Sequence, residues 1–164
     1  MKRFINNAVK PLGVEYGRAR IGFVEYGDLP SSKMKLSQSS KSLLALLLDA
    51  VKPTRGSKCQ LKALKFIKDN FFAPSNQKEA VKKRIVFLMT EPIPRDGGIP
   101  EFGQTLKSLN DSAVEYVIVY IGDRSEDAQM LKKEGDKYGK VIMLDVSDKL
   151  PEVIPDVAKK GKGK

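Results

Sequence analysis

The chain has 164 residues, 41% of them hydrophobic, with 30 Lys and Arg against 20 Asp and Glu for a net charge of +10. That length is enough for one domain with a substantial core, and the longest apolar run, Leu43–Leu48, is too short to cross a bilayer, so no membrane insertion is expected. Histidine is absent, which excludes His-based acid–base catalysis and His-ligated metal, and the single cysteine, Cys59, excludes an internal disulfide.

The chain opens with basic residues, Met1-Lys2-Arg3-Phe4-Ile5-Asn6-Asn7, but the asparagines interrupt any secretory apolar segment. The expectation is a cytosolic protein or a sequence lacking its true start. Phe4, Ile5, Ala8, Val9 and Leu12 recur at helical spacing and predict an amphipathic helix over 2–12 that ends near Pro11 and Gly13. Residues 19–26 are rich in strand formers and close at Gly27-Asp28. Residues 33–38, with Met34 and Leu36 on one face, alternate as an edge strand would. Residues 39–51 predict a leucine-rich helix stopped by Pro53, 54–57 a turn, and 60–72 a helix with Leu61, Leu64, Ile67 and Phe71 on one face.

A polar loop over 74–79 precedes the most informative stretch, Lys83-Arg84-Ile85-Val86-Phe87-Leu88-Met89-Thr90-Glu91-Pro92. A continuous apolar run flanked by charge reads as a strand buried on both faces, as in the interior of a parallel sheet. A helix over 100–109, a strand over 115–121, a helix over 125–137, a strand over 141–146 and a short helix over 150–159 complete the pattern. Pro100 and Ser125 are helix-start signals. This βαβαβα order is that of a parallel sheet covered by helices. A single domain over 1–158 is expected, followed by a disordered Lys/Gly tail over 159–164.

The basic excess is dispersed, which favours solubility and weak attraction to acidic polymers without defining a groove. With Trp absent and most Phe and Tyr at core positions, nucleic acid is not the expected partner. Glu91, Asp96 and Asp123 fall at strand-end loops on one sheet edge, but no nucleophile–base pair accompanies them, so no enzyme is expected. Gly97-Gly98 and Gly161-Lys162-Gly163-Lys164 lack the strand–turn–helix setting of a phosphate loop. Cys59 beside Lys58 reads as a partly buried structural thiol, and Asn110-Asp111-Ser112 is a glycosylation sequon expected in a surface loop.

Five segments in order carry a family resemblance. Arg20-Ile21-Gly22-Phe23-Val24-Glu25-Tyr26-Gly27-Asp28 resembles the second strand of von Willebrand factor A domains, R-(V/I)-G-(V/L)-V-x-Y-S. Gly56 to Leu64 is similar to the turn and helix start G-G-T-x-T-x-x-A-L, and Arg84 to Glu91 to the strand ending L-(I/V/L)-T-D-G. Val114 to Asp123 is similar to G-V-x-V-(F/Y)-x-V-G-(V/I)-G, and Val141 to Ile154 to the family's last strand and helix.

The resemblance implies a three-layer αβα, doubly wound, mostly parallel sheet, with the first central strand missing through truncation or divergence. It also implies a metal-ion-dependent adhesion site holding Mg²⁺ or Ca²⁺ through oxygen ligands. Its Asp-x-Ser-x-Ser motif is missing here. Its Thr position falls on Gln60, or on Ser57 with a longer loop, and its Asp position on Glu91, where Pro92 replaces the usual Gly. Glu places its carboxylate one methylene too far for a strict octahedral ion, so the expectation is a degenerate site and no cofactor.

The implied function is a non-enzymatic, secreted adhesion or extracellular-matrix module of a collagen-like kind. It would bind a protein ligand, a matrix protein or an acidic glycan, through Arg55, Ser57, Lys58, Gln60, Thr90, Glu91, Arg95, Asp96, Asp123 and Arg124. The alternative is a cytoplasmic scaffold or nucleic-acid-associated domain of the same fold, towards which the charge and the absent disulfides lean.

Overall fold

The computed structural model describes residues 5–6, 9–17, 19–51, 58–73, 84–90, 96–112, 114–121 and 125–144. The expected turn at 54–57, the loop at 74–79, the last helix and the tail lie outside the described residues. The chain divides into two compact units, one of Met1–Glu25, Ser31–Thr54 and Lys149–Lys164, the other of Tyr26–Pro30 and Arg55–Asp148.

In the first unit, Ile5, Asn6 and Val9 are helical, and a 3₁₀ turn at Lys10–Leu12 ends on Gly13 with φ of 64°. Only glycine adopts that left-handed conformation without a Cβ penalty, so the helix stops where Pro11 and Gly13 predict. Strands β1 (Phe23–Tyr26) and β2 (Pro30–Met34) form a two-stranded sheet. Helix α1 (Lys41–Ala50) starts at Ser40, whose hydroxyl accepts a hydrogen bond from Leu43 N at 3.3 Å. Its Leu44 and Leu48, one turn apart, join Met34, Val9 and Val14 in a small core.

Two strand expectations need correction here. Residues 19–22 are not in the strand, because Ile21 N donates to the Ser39 hydroxyl at 2.7 Å and so is satisfied by a side chain rather than a ladder. The edge strand expected at 33–38 is instead Pro30–Met34, and Leu36–Gln38 is a 3₁₀ turn. Gln38 Oε1 accepts from Lys35 N at 3.2 Å and folds that segment back on itself.

The second unit is built on alternating helices and strands. They are α2 (Gln60–Phe71), β3 (Arg84–Thr90), α3 (Ile99–Asp111), β4 (Val114–Ile121), α4 (Glu126–Gly135) and β5 (Lys140–Leu144). The strands form a parallel sheet in the order β3-β4-β5. The register sets Arg84 beside Val114 and Thr90 beside Tyr120, then Val117 beside Lys140 and Ile121 beside Leu144. Parallel neighbours require crossover connections, which α3 and α4 supply.

The apolar positions explain the packing. Phe102, Leu106 and Leu109 on α3 sit at the i, i+4, i+7 spacing of one helix face and are fully buried. They share a core with Leu64 of α2, Val86 and Leu88 of β3, Ile118 of β4 and Leu131 of α4. Helix α3 begins with Pro100 in its first turn and Glu101 Oε2 accepting from Gly98 N at 3.0 Å. Helix α4 begins at Ser125, which accepts from Ala128 N at 3.2 Å. Near its end, Glu134 accepts a bond from Lys137 Nζ, which raises the ammonium pKa above its ordinary value. The sequon asparagine, Asn110, lies exposed in the last turn of α3 rather than in a loop.

Candidate functional site

Ligands of open α/β sheets bind beyond the carboxyl ends of the strands, and in this chain that edge follows Thr90 of β3. Helix α2 points its N-terminus there through a network of the second unit. An α-helix leaves its first N–H groups without intrahelical partners, and the residue before it normally supplies an oxygen. That residue is Cys59, which makes no side-chain capping bond.

The missing acceptor comes from a remote residue. Asp96 Oδ1 accepts from Leu61 N at 3.1 Å and Asp96 Oδ2 accepts from Lys62 N at 2.8 Å. These are charge-assisted bonds at the positive end of the helix dipole, where a carboxylate is most favourable. A third segment joins from the other side, as Cys59 N donates to the Gly27 carbonyl at 2.9 Å. Tyr26, just before it, donates its hydroxyl to the Met89 carbonyl near the end of β3 at 3.2 Å. The turn after β1, the start of α2 and the loop before α3 are thus tied into one surface.

The positions named from the sequence divide accordingly. Lys58 is half-buried, and Gln60 is fully buried. Cys59 is buried at 5% exposure, and the expectation of a partly buried thiol understates this. Thr90 ends β3. Arg55, Ser57, Glu91, Arg95, Asp123 and Arg124 lie outside the described residues.

Tyr26 and Gly27 belong to the network and were not singled out as site residues by the sequence. A helix start at Cys59 with no Ser, Thr, Asp or Asn in the capping position was the available signal that an acceptor must arrive from elsewhere.

The arrangement also bears on metal binding. Both oxygens of Asp96 are engaged by backbone N–H groups, and Gln60 is fully buried. Among the described residues no group of three or more His, Cys, Asp or Glu stands together as an ion's ligands. Ser57 and Glu91, the other positions that the resemblance assigns to a cation's ligands, lie outside the described residues.

Comparison with known proteins follows the same fold. The family pattern described as von Willebrand factor type A domain matches residues 1–155. Among solved structures, the chain is similar to proximal thread matrix protein 1 from the mussel byssus with a zinc-occupied MIDAS motif. The TM-score is 0.73 and the identity 21%, covering 98% of this chain and 39% of that one. A second crystal form of the same byssus protein matches with a TM-score of 0.68 and 18% identity, again over 98% and 39%. The SpRpn10 VWA domain matches with a TM-score of 0.63 and 12% identity, over 96% of this chain and 77% of that one. The chain spans about two fifths of the byssus protein (39%), and identities this low speak for the fold alone. No curated protein sequence matches the chain. Among the described residues no helix is long and apolar enough to cross a membrane.

Proposed function

This chain belongs to the von Willebrand factor type A domain family, and from that premise we propose that it is a non-enzymatic protein-interaction module. It recognises its partner without a metal ion, through the loops at the carboxyl edge of the sheet. The observation that carries this reading is the Asp96 carboxylate bonded to Leu61 N and Lys62 N. A side chain of the protein itself fastens the start of α2 to the loop before α3, which a shared cation would otherwise have to organise. The surface is thereby preorganised for a partner, which lowers the ordering cost of binding.

The ligand is an extracellular-matrix protein or an acidic glycan. The basic loop residues Arg55, Lys58, Arg95 and Arg124 would face its acidic groups, with Glu91 and Asp123 setting orientation. The byssus thread matrix protein supports an extracellular setting by likeness of fold.

The experiment is binding to immobilised fibrillar collagen and to heparin, in EDTA and in millimolar Mg²⁺ or Ca²⁺. Equal binding with and without the chelator, reduced by Lys58→Ala together with Arg95→Ala, supports the reading. Binding that appears only with the cation and vanishes in Glu91→Ala overturns the metal-free claim. A second reading, an intracellular scaffold or nucleic-acid-associated domain, is favoured by the +10 charge. Strongly salt-dependent binding to RNA, with none to collagen or heparin, selects it.

A further inference from the structure

Helix α3 carries the chain from one edge of the parallel sheet to the other. It starts at the Gly98 cap, two residues after Asp96 at the carboxyl edge, and ends at Asp111, just before β4 begins at Val114. Val114 pairs with Arg84, the first residue of β3, so the end of α3 lies at the amino edge. At about 1.5 Å per residue, Asn110 is about 18 Å from the Gly98 cap along the helix axis.

That end carries a motif for which the partner surface has no use. The chain has five asparagines, and only Asn110 has a hydroxyl two positions on, in Asn110-Asp111-Ser112. An Asn-x-Ser/Thr triplet without a central proline is the acceptor of an N-linked glycan, and it belongs on a surface because the sugar must stay in water. Asn110 and Asp111 are both exposed, while Leu106 and Leu109 of the same helix are fully buried. A sugar on Asn110 therefore enters solvent without displacing the core packing of α3.

We propose that Asn110 is an N-glycosylation site, modified before the chain folds, whose glycan stands on the amino edge of the sheet and clear of the partner loops. The proposal rests on the extracellular setting of the function proposed for this chain. In the transfer, Asn110 Nδ2 bonds to the anomeric carbon of a lipid-pyrophosphate-linked oligosaccharide. The bond from that carbon to the pyrophosphate oxygen breaks, the lipid pyrophosphate leaves with the electron pair, and the amide gives up one proton.

The timing follows from the folded geometry. The Ser112 hydroxyl donates to the Ser108 carbonyl at 2.9 Å, and Ser112 N donates to the Leu109 carbonyl at 3.0 Å. These bonds hold the triplet against the last turn of α3 and engage the hydroxyl that an acceptor must present. Transfer precedes the closing of that turn, and the finished helix then carries the glycan outward.

The test is expression of the full chain in cultured animal cells behind a cleavable leader. Intact mass is read on the cell-associated and secreted chain, before and after peptide N-glycosidase. One glycan per chain is expected, released by the enzyme. Asn110→Gln and Ser112→Ala should each lack it, and Ser112→Thr should keep it, with circular dichroism showing that all three fold. The purified, already folded chain should stay unmodified when offered a transferase and its lipid-linked donor.

A chain without glycan, from cells that modify a co-expressed glycoprotein, overturns the proposal, and ready modification of the folded chain overturns the timing. Binding to heparin or collagen should be the same before and after the glycan is removed. A several-fold gain on removal would put the glycan over the partner loops and overturn its assignment to the amino edge. A glycosylated chain that binds neither ligand defeats the partner reading and supports this one.

Discussion

Asp96 lies 35 positions from Leu61, yet it serves α2 as a capping residue would, accepting bonds from the second and third N–H groups of the helix. Because Cys59 offers no side-chain cap, removing the carboxylate leaves those donors to water or to nothing. Asp96→Ala should cost about 1 to 2 kcal/mol, the range of a lost N-cap. Asp96→Asn keeps one acceptor oxygen and should cost less than the alanine variant. Urea unfolding gives the answer as a lower midpoint with an unchanged slope. Equal midpoints for wild type and Asp96→Ala would show that the bonds contribute nothing net. The sequence could place Asp96 in a strand-end loop, but not on α2, because a cap supplied across the fold leaves no local spacing to read.

Two glycines show how the elements meet and predict opposite outcomes. Gly135 ends α4, and a Cβ there would run into a methyl of Val141 on β5. Val141 is buried and β-branched within a strand, so it cannot move aside, and Gly135→Ala should destabilise by about 1 to 3 kcal/mol through overpacking. Gly103 on α3 is also buried, but what a Cβ would meet is the flexible side chain of Glu134. That chain can swing away, and alanine improves helix propensity by about 1 kcal/mol, so Gly103→Ala should be close to neutral. Thermal melts of the two variants should therefore separate clearly. If both fall equally, the close approach of α4 to β5 is misjudged.

These elements were legible to different degrees for physical reasons. Strand β3 and helices α2 and α3 announce themselves because their apolar residues fall in a continuous run or at a 3.6-residue spacing. Strand β2, Pro-Ser-Ser-Lys-Met, buries only Met34 and carries no alternating pattern to find. Its neighbour Leu36–Gln38 mimics alternation while folding as a turn held by Gln38.

At the scale of the whole molecule the governing quantity is the excess of 30 basic over 20 acidic side chains. Described ion pairs such as Lys33–Glu25 at 3.3 Å and Lys41–Glu15 at 3.2 Å are partly exposed, and pairs of that kind contribute about 0 to 1 kcal/mol each. The surplus lysines repel one another over a longer range, which opposes the compact state. Screening shortens that range from about 30 Å at 0.01 M salt to about 8 Å at 0.15 M. If repulsion outweighs the pairs, the melting temperature should rise by about 2 °C or more between those conditions, the shift that accompanies roughly 0.5 to 1 kcal/mol in a chain of this size.

Lys65, exposed on α2 one turn from both Lys62 and Lys68, offers a direct check. Lys65→Glu lowers the net charge by two and sets opposite charge against Lys62 and Lys68, at the cost of its present opposite-charge neighbour Asp69 one turn on. It should raise the melting temperature at 0.01 M salt and lose most of that gain at 0.15 M. A melting temperature that falls as salt is added would instead mean that specific pairs, not the overall excess, set the electrostatic balance of the fold.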